Sequence, residues 1–395
     1  MKERFKLITR MHKNTSCDLS FLGEETAHFV RKFHRSFPMY APTPLAKLSA
    51  TADALGLGSV YVKDESWRFG LNAFKVLGGS FAIGNYMAKK LGRPADYSLL
   101  TAPETKEALG DLTFVTATDG NHGRGVAWAA REFGCRSVVY MPKGSARERL
   151  DNIRAEGAEA SITELNYDDA VRLANAHAES YGWVMVQDTA WDGYEDIPTW
   201  IMQGYTTMGL EAYEQLPEKP THIFLQAGVG SMAGAIAGLF ASLYGEDRPI
   251  ITIVEPNKAD CIYRTAEAND GRRHFVTGDM DTIMAGLACG EPCSIGWQVL
   301  ADYADHFISC PDYVAARGMR ILGNPAGNDD RVISGESGAA AFGCVAEIMT
   351  NPALAHLKEE LKLDKTSRVL FFSTEGDTDK ENYRKIVWDG LYSGI

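Results

Sequence analysis

The stretch "LTFVTATDGNHGRGVAWAAREFGCRSVVYMP" (112–142) reads as an apolar strand, a Gly/Asn/His turn, a small-residue helix and a second apolar strand. Downstream the alternation continues. "SARERLDNIRAEGA" has helical spacing, "AEASITELN" is a short strand, "YDDAVRLANAHAESYG" is a helix and "WVMVQD" (183–188) a strand. A crossing helix is expected at 198–215. "THIFLQAG" (221–228) and "PIITIVEP" (249–256) are apolar strands around the helix "SMAGAIAGLFASLYG", and "RVLFFSTEG" (368–376) is a late strand. Upstream, "SVYVKDES" (59–66) is a strand, followed by a loop that opens onto the helix "KVLGGSFAIGNYMAKKLG". "APTPLAKLSATADALGLG" turns at its prolines and enters a short helix. Residues 1–40 read as a helical arm, with Ala27, Phe29, Val30 and Phe33 at helical spacing.

Such alternation implies an α/β protein of two open, twisted, mostly parallel-sheet domains with helices on both faces. The expected division is 1–90 plus 216–395 as the larger domain and 91–215 as the smaller one, which carries the loop Thr118 to Gly123. The span 257–330 is turn-rich and resists assignment. No short-period repeat or low-complexity tract interrupts the 395 residues.

A net charge of −12 argues against nucleic acid or an anionic membrane surface as partner, since both recruit basic patches. No run of 18 apolar residues offers a membrane span, and "MKERFKLITRMHKNTSC" lacks the apolar core of a secretory signal. The cysteines, seven and scattered, suit a reducing cytoplasm. Cys289 and Cys293 are spaced as zinc ligands can be, but no second pair or spaced histidines accompany them, so no metal is expected. A disulfide between Cys261 and one of that pair stays open.

In open parallel sheets, ligands sit beyond the carboxyl ends of strands. Four loops lie there. Thr118-Asp119-Gly120-Asn121-His122-Gly123 precedes a helix whose first amides attract anions, carboxylates included. Asp119 is equally a helix cap or turn residue on this reading. Gly228-Val229-Gly230-Ser231-Met232 lets backbone amides converge on an oxyanion. It is neither a dinucleotide fingerprint nor a Walker loop, and tight helix–strand packing explains its glycines as well. Ser373 to Asp377 offers a hydroxyl for a ring nitrogen or for a turn. The loop from Ser334 to Ala339 is read as a site of close helix packing.

Lys75 lies in "WRFGLNAFKVLGGSFAI" (67–83), among Ala73, Phe74, Val76 and Leu77. Burial disfavours an ammonium and favours the neutral, nucleophilic amine. The alternative is a lysine that buries its stem and keeps its head in water.

Taken in order, Phe74-Lys75, Gly120-Asn121-His122, Gly228 to Met232 and Ser373 resemble the fold type II pyridoxal-phosphate enzymes: threonine dehydratases, cysteine synthases and the tryptophan synthase β chain. With "TATDGNHGRGVAWAA" and "IMAGLACGEP", the set is similar to the diaminopropionate ammonia-lyase family. The resemblance spans "YAPTPL" to "FFSTEGDTD". Departures are Ala73 where serine is usual, a phosphate loop with two glycines, and Asp119 where the larger family has serine.

The resemblance implies pyridoxal 5'-phosphate in the larger domain, bound to Lys75 as a Schiff base. Its phosphate would sit on Gly228, Val229, Gly230, Ser231 and Met232, its phenolic oxygen on Asn121 and its ring nitrogen on Ser373. It implies α,β-elimination of 2,3-diaminopropionate to pyruvate and two ammonia, with Lys75 the base on one face and Asp119 on the other, so that both D and L forms react. Thr118, Asp119, Gly120 and His122 would hold the substrate carboxylate. Asp188 and Tyr167 are candidates for its second amino group. A serine or threonine dehydratase of the same fold is the alternative, and a non-catalytic cofactor-binding module is a third reading. The resemblance also implies a homodimer without an appended regulatory domain.

Overall fold

The computed structural model describes residues 5–10, 16–118 and 120–393. The strands, in chain order, are β1 (Lys6–Thr9), β2 (Leu45–Lys47), β3 (Ser59–Asp64), β4 (Thr113–Ala117), β5 (Arg136–Met141), β6 (Glu159–Ile162), β7 (Val184–Met185), β8 (His222–Gln226), β9 (Ile250–Pro256), β10 (His306–Cys310) and β11 (Arg368–Ser373). They form two sheets. Seven strands run in the order β1-β10-β9-β8-β11-β3-β2, and four in the order β6-β5-β4-β7. All pairs are parallel except the two edge pairs of the larger sheet, β1 with β10 and β2 with β3.

The central strands β3, β4 and β8 are buried along their whole length. That is why they read as unbroken apolar runs: both faces are covered by helices. The N-terminal segment departs from the expected helical arm. Among the described residues there, Glu24–Arg35 is α-helical after a short 3-10 turn at Ser20–Leu22, and Lys6–Thr9 is an edge strand antiparallel to β10. Four residues are too few to display a period against the helix that follows. The strand expected at 183–188 narrows to Val184–Met185, after which the chain leaves the sheet. The unassigned span holds the helices Cys261–Ala268, Ser294–Tyr303 and Tyr313–Gly323 and the strand β10. No disulfide joins Cys261 to Cys289 or Cys293, so the pairing left open in the sequence is not formed.

The helix Val76–Leu91 joins the two sheets. It packs on Asn121–Glu132 from the smaller sheet and on Asp196–Gln215. Its crossing with Asn121–Glu132 is close because Gly79 and Gly125 face each other. A Cβ on Gly125 would lie 2.8 Å from the Val76 Cα and 3.1 Å from the Lys75 carbonyl carbon. That approach fixes Lys75 against the loop that carries Asn121. Below it, Lys63, Arg68, Glu65 and Glu211 form a buried network of two cations and two carboxylates, with Lys63 Nζ 2.7 Å from Glu211 and Arg68 Nε 2.8 Å from Glu65.

Candidate active site

The carboxyl ends of β3, β8 and β11 in the larger sheet and of β4 and β7 in the smaller one point toward a common cavity of about 1110 Å³. Lys75, Thr118, Asn121, His122, Tyr167, Asp188 and the whole of 228–232 line it. Asp119 lies outside the described residues.

Lys75 is the residue before the helix Val76–Leu91 and is held from behind. The amide of Phe74 donates to the Thr374 carbonyl at 3.0 Å, and Ala73 bridges to Glu375. The Lys75 ammonium donates to the Asp188 carboxylate, an ion pair in which Asp188 is almost fully buried. Burial pushes the Asp188 carboxyl up, but the Lys75 charge, the neighbouring His122 and the bond from Lys75 outweigh it and hold it at about 2. Asp188 is therefore an anion at any physiological pH. Its backbone carbonyl accepts from the Ser231 hydroxyl at 2.5 Å, tying it to the glycine loop.

The glycine loop closes β8 and opens the helix Ser231–Tyr244. Gly230 caps that helix with φ +92°, a left-handed value that glycine adopts without strain. The first helical amides have no carbonyl within the helix to bond, so Ser231 and Met232 present donors at its positive end. This donor set fits a phosphate group.

Thr118 closes β4, and its hydroxyl accepts from the Gly120 amide at 3.0 Å, shaping the turn before Asn121. His122 is buried. Its Nε2 bonds the Val186 carbonyl at 2.8 Å, which makes Nε2 the donor, and Nδ1 has no partner among the described residues. Burial pushes the imidazole pKa down, so it stays neutral. Tyr167 starts the helix Tyr167–Tyr181, and its hydroxyl accepts from the Gln187 amide at 2.8 Å, one residue from Asp188.

Ser373 ends β11, fully buried, 2.8 Å from the Ser334 hydroxyl. The Ser373 hydroxyl donates to Ser334, and at this strand end it is Thr374 and Glu375, not Ser373, that line the cavity. So the loop Ser334 to Ala339 does more than pack a helix. Ser334 backs Ser373, while Glu336 and Ser337 line the cavity. Glu336 and Glu375, both buried, escaped the sequence reading, although both lie in loops it singled out. Their signal was a charged residue between small ones at the mouth of a parallel sheet. Among the described residues no cluster of three or more metal-ligating side chains occurs, and no helix is long and apolar enough to cross a membrane.

Residues 37–374 match the family described as pyridoxal-phosphate dependent enzyme, and the chain belongs to that family. Its fold is that of the type II members, and pyridoxal phosphate is its cofactor. Within the family it is 54% identical to a diaminopropionate ammonia-lyase of Salmonella typhimurium, over 98% of both chains. The crystal structure of the holo diaminopropionate ammonia-lyase of Escherichia coli superposes with a TM-score of 0.93 at 47% identity, covering 100% of this chain and 99% of that one. The same Escherichia coli enzyme in complex with an aminoacrylate–pyridoxal-phosphate azomethine intermediate matches at a TM-score of 0.92, with the same identity and coverage.

Proposed function

We propose that this chain catalyses the α,β-elimination of 2,3-diaminopropionate, in both D and L forms, to pyruvate and two ammonia. The observation that carries the reading is the ion pair of half-buried Lys75 with buried Asp188 in the cavity wall: a carboxylate kept ionised where a substrate's extra cation would be received. Pyridoxal phosphate supplies a carbonyl that joins the substrate amine and a conjugated ring that accepts electron density from Cα.

The residues do the rest. The amides of Gly228 to Met232 would hold the phosphate, Ser373 would offer the ring nitrogen a neutral hydroxyl, and Asn121 would meet the phenolic oxygen. Lys75 would anchor the cofactor and serve as one base for the Cα proton, with Asp119 as the second. The start of the helix Asn121–Glu132, with Thr118, Gly120 and His122, would hold the substrate carboxylate. Asp188, beside the Tyr167–Gln187 bond, receives the β-ammonium once Lys75 is engaged elsewhere. A dehydratase acting on serine or threonine has a neutral hydroxyl at that carbon and no use for this charge.

The wider organisation belongs to the same proposal. The larger domain would comprise 1–90 plus 216–395 and the smaller 91–215, a division supported by the separate sheets formed by β4 to β7 and by the other strands. The chain works as a homodimer in the cytoplasm, where its free thiols stay reduced. The test is stoichiometric. Purified holoenzyme given 2,3-diaminopropionate should release two ammonia per pyruvate, faster than it releases one from serine. Equal or faster turnover of serine or threonine would move the chain to the dehydratases.

A further inference from the structure

Glu375 follows Ser373 by two residues, and its backbone is fixed on both sides. Its carbonyl accepts from the Gly335 amide at 2.9 Å, and the next amide, of Gly376, donates to the Asn72 carbonyl at 3.0 Å. Its carboxylate is buried and uses both oxygens. One accepts from the Ser337 amide at 3.1 Å, and the other accepts from the side-chain nitrogen of Asn121. The second bond crosses from the larger sheet to the helix that follows β4.

A carboxylate only accepts, whereas an amide side chain accepts through oxygen and donates through nitrogen. Asn121 must therefore turn its nitrogen to Glu375. That nitrogen carries a second hydrogen, which then points to one side only. Glu336 sits beside Glu375 and bonds the Asn382 side chain. Burial, and then the charge of Glu375, lift Glu336 to about 7. Glu336 thus carries a proton much of the time near neutrality.

We propose that Glu375 is a positioning residue for the cofactor: it locks the Asn121 amide with its free N–H toward the phenolic oxygen. This rests on the reading of Lys75 and Asn121 as the cofactor seat. The consequence is electronic. A donor on the phenolic oxygen draws off the electron density that this oxygen otherwise shares with a proton on the lysine–cofactor imine. The lock therefore makes the imine less basic. Removing a nearby negative charge, by contrast, also makes the imine less basic. The two effects of replacing Glu375 have opposite signs, so the direction of the change identifies the role. The other charged or titratable groups facing this corner are Glu336 on the 334–338 turn, Arg149 on the helix Arg147–Ala155, and Lys75, Asp188 and His122 across the cavity.

The experiment is a visible-absorbance pH titration of the holoenzyme, which reads the imine without turnover. Glu375→Gln keeps the volume but leaves one acceptor for two donors. It loses lock and charge together, so it is expected to raise the imine midpoint by less than the about one pH unit that one lost hydrogen bond to a charged group is worth. Glu375→Asp keeps the charge and withdraws it from Asn121 by one methylene, so it should raise the midpoint as well. It serves alone if the glutamine variant does not fold. In an Asn121→Ala background, Glu375→Gln should produce no rise. A lowered or unchanged midpoint, or the same rise without Asn121, overturns the proposal. Borohydride reduction that labels a lysine other than Lys75 sinks the seat itself, and the inference with it.

Discussion

Asp188 shows how much one buried carboxylate can decide. Its environment is apolar enough to disfavour the anion, yet Lys75 and His122 hold its carboxyl at about 2. A carboxyl depressed to about 2 beside the Lys75 ammonium stays charged from mild acid upward, and a substrate ammonium standing in for Lys75 would keep it charged in the same way. Asp188→Asn keeps the shape and loses the charge. The expected outcome is a loss in kcat/KM of about 10–100-fold for diaminopropionate, the worth of a charged hydrogen bond, with a smaller loss for serine. Equal losses for both substrates would leave Asp188 with only a Lys75-holding role. The site residues were legible to different degrees. Lys75, Asn121, the 228–232 loop and Ser373 sit in short motifs whose order carries meaning. Asp188 was visible only as a carboxylate just past a strand, and its contact with Lys75 spans 113 positions of chain. Glu375 and Glu336 were hidden because their partners, Asn121 and Asn382, lie on other segments.

Among the elements, most helices outside 257–330 and the inner strands β3, β4 and β8 were readable, the strands because burial on both faces leaves an unbroken apolar run. The edge strands β1 and β2 were not, since pairing with a neighbour, and no local pattern, makes them strands, and β7 was read too long for the same reason. β10 was lost in the turn-rich span although all five of its residues are buried. The contact that matters most for chemistry is also non-local. Gly125 lets the helix Asn121–Glu132 touch the start of Val76–Leu91, next to Lys75. Gly125→Ala puts a methyl group against main-chain atoms that cannot rotate away. It is expected to cost about 1–3 kcal/mol of stability and to lower kcat through displacement of Lys75. A thermal melt and a kcat measurement on the same preparation check both, and an unchanged kcat at lowered Tm would uncouple the crossing from catalysis.

Across the whole molecule, strand order could not be read from the sequence: β11, almost the last element, inserts between β8 and β3 and so delivers Ser373 and Glu375 to the centre of the site. The helices Glu24–Arg35, Val76–Leu91 and Asp196–Gln215 are tied by His34, whose Nδ1 lies 2.7 Å from the Thr207 hydroxyl and whose Nε2 donates to the Leu77 carbonyl at 3.1 Å. Burial, then the charge of Arg68, depress its pKa from 6.5 to about 3. A histidine depressed on folding leaves stability unaffected above 6.5 and erodes it as pH falls from there toward 3, because only the unfolded chain takes up the proton. The expected loss is about 1.4 kcal/mol per pH unit from this group, read from urea midpoints between about pH 7 and about pH 5. His34→Gln should flatten that slope, and an unchanged slope would assign the acid sensitivity to other groups. The claim that unites all three scales is a single site that eliminates ammonia from either enantiomer of one substrate. The direct measurement is pyruvate release from D- and L-2,3-diaminopropionate beside D- and L-serine, with wild type and with Asp119→Asn. The account requires fast turnover of both diaminopropionate enantiomers, with the D form selectively lost in the variant. Activity confined to L-serine or L-threonine, or equal loss of both enantiomers, would contradict it.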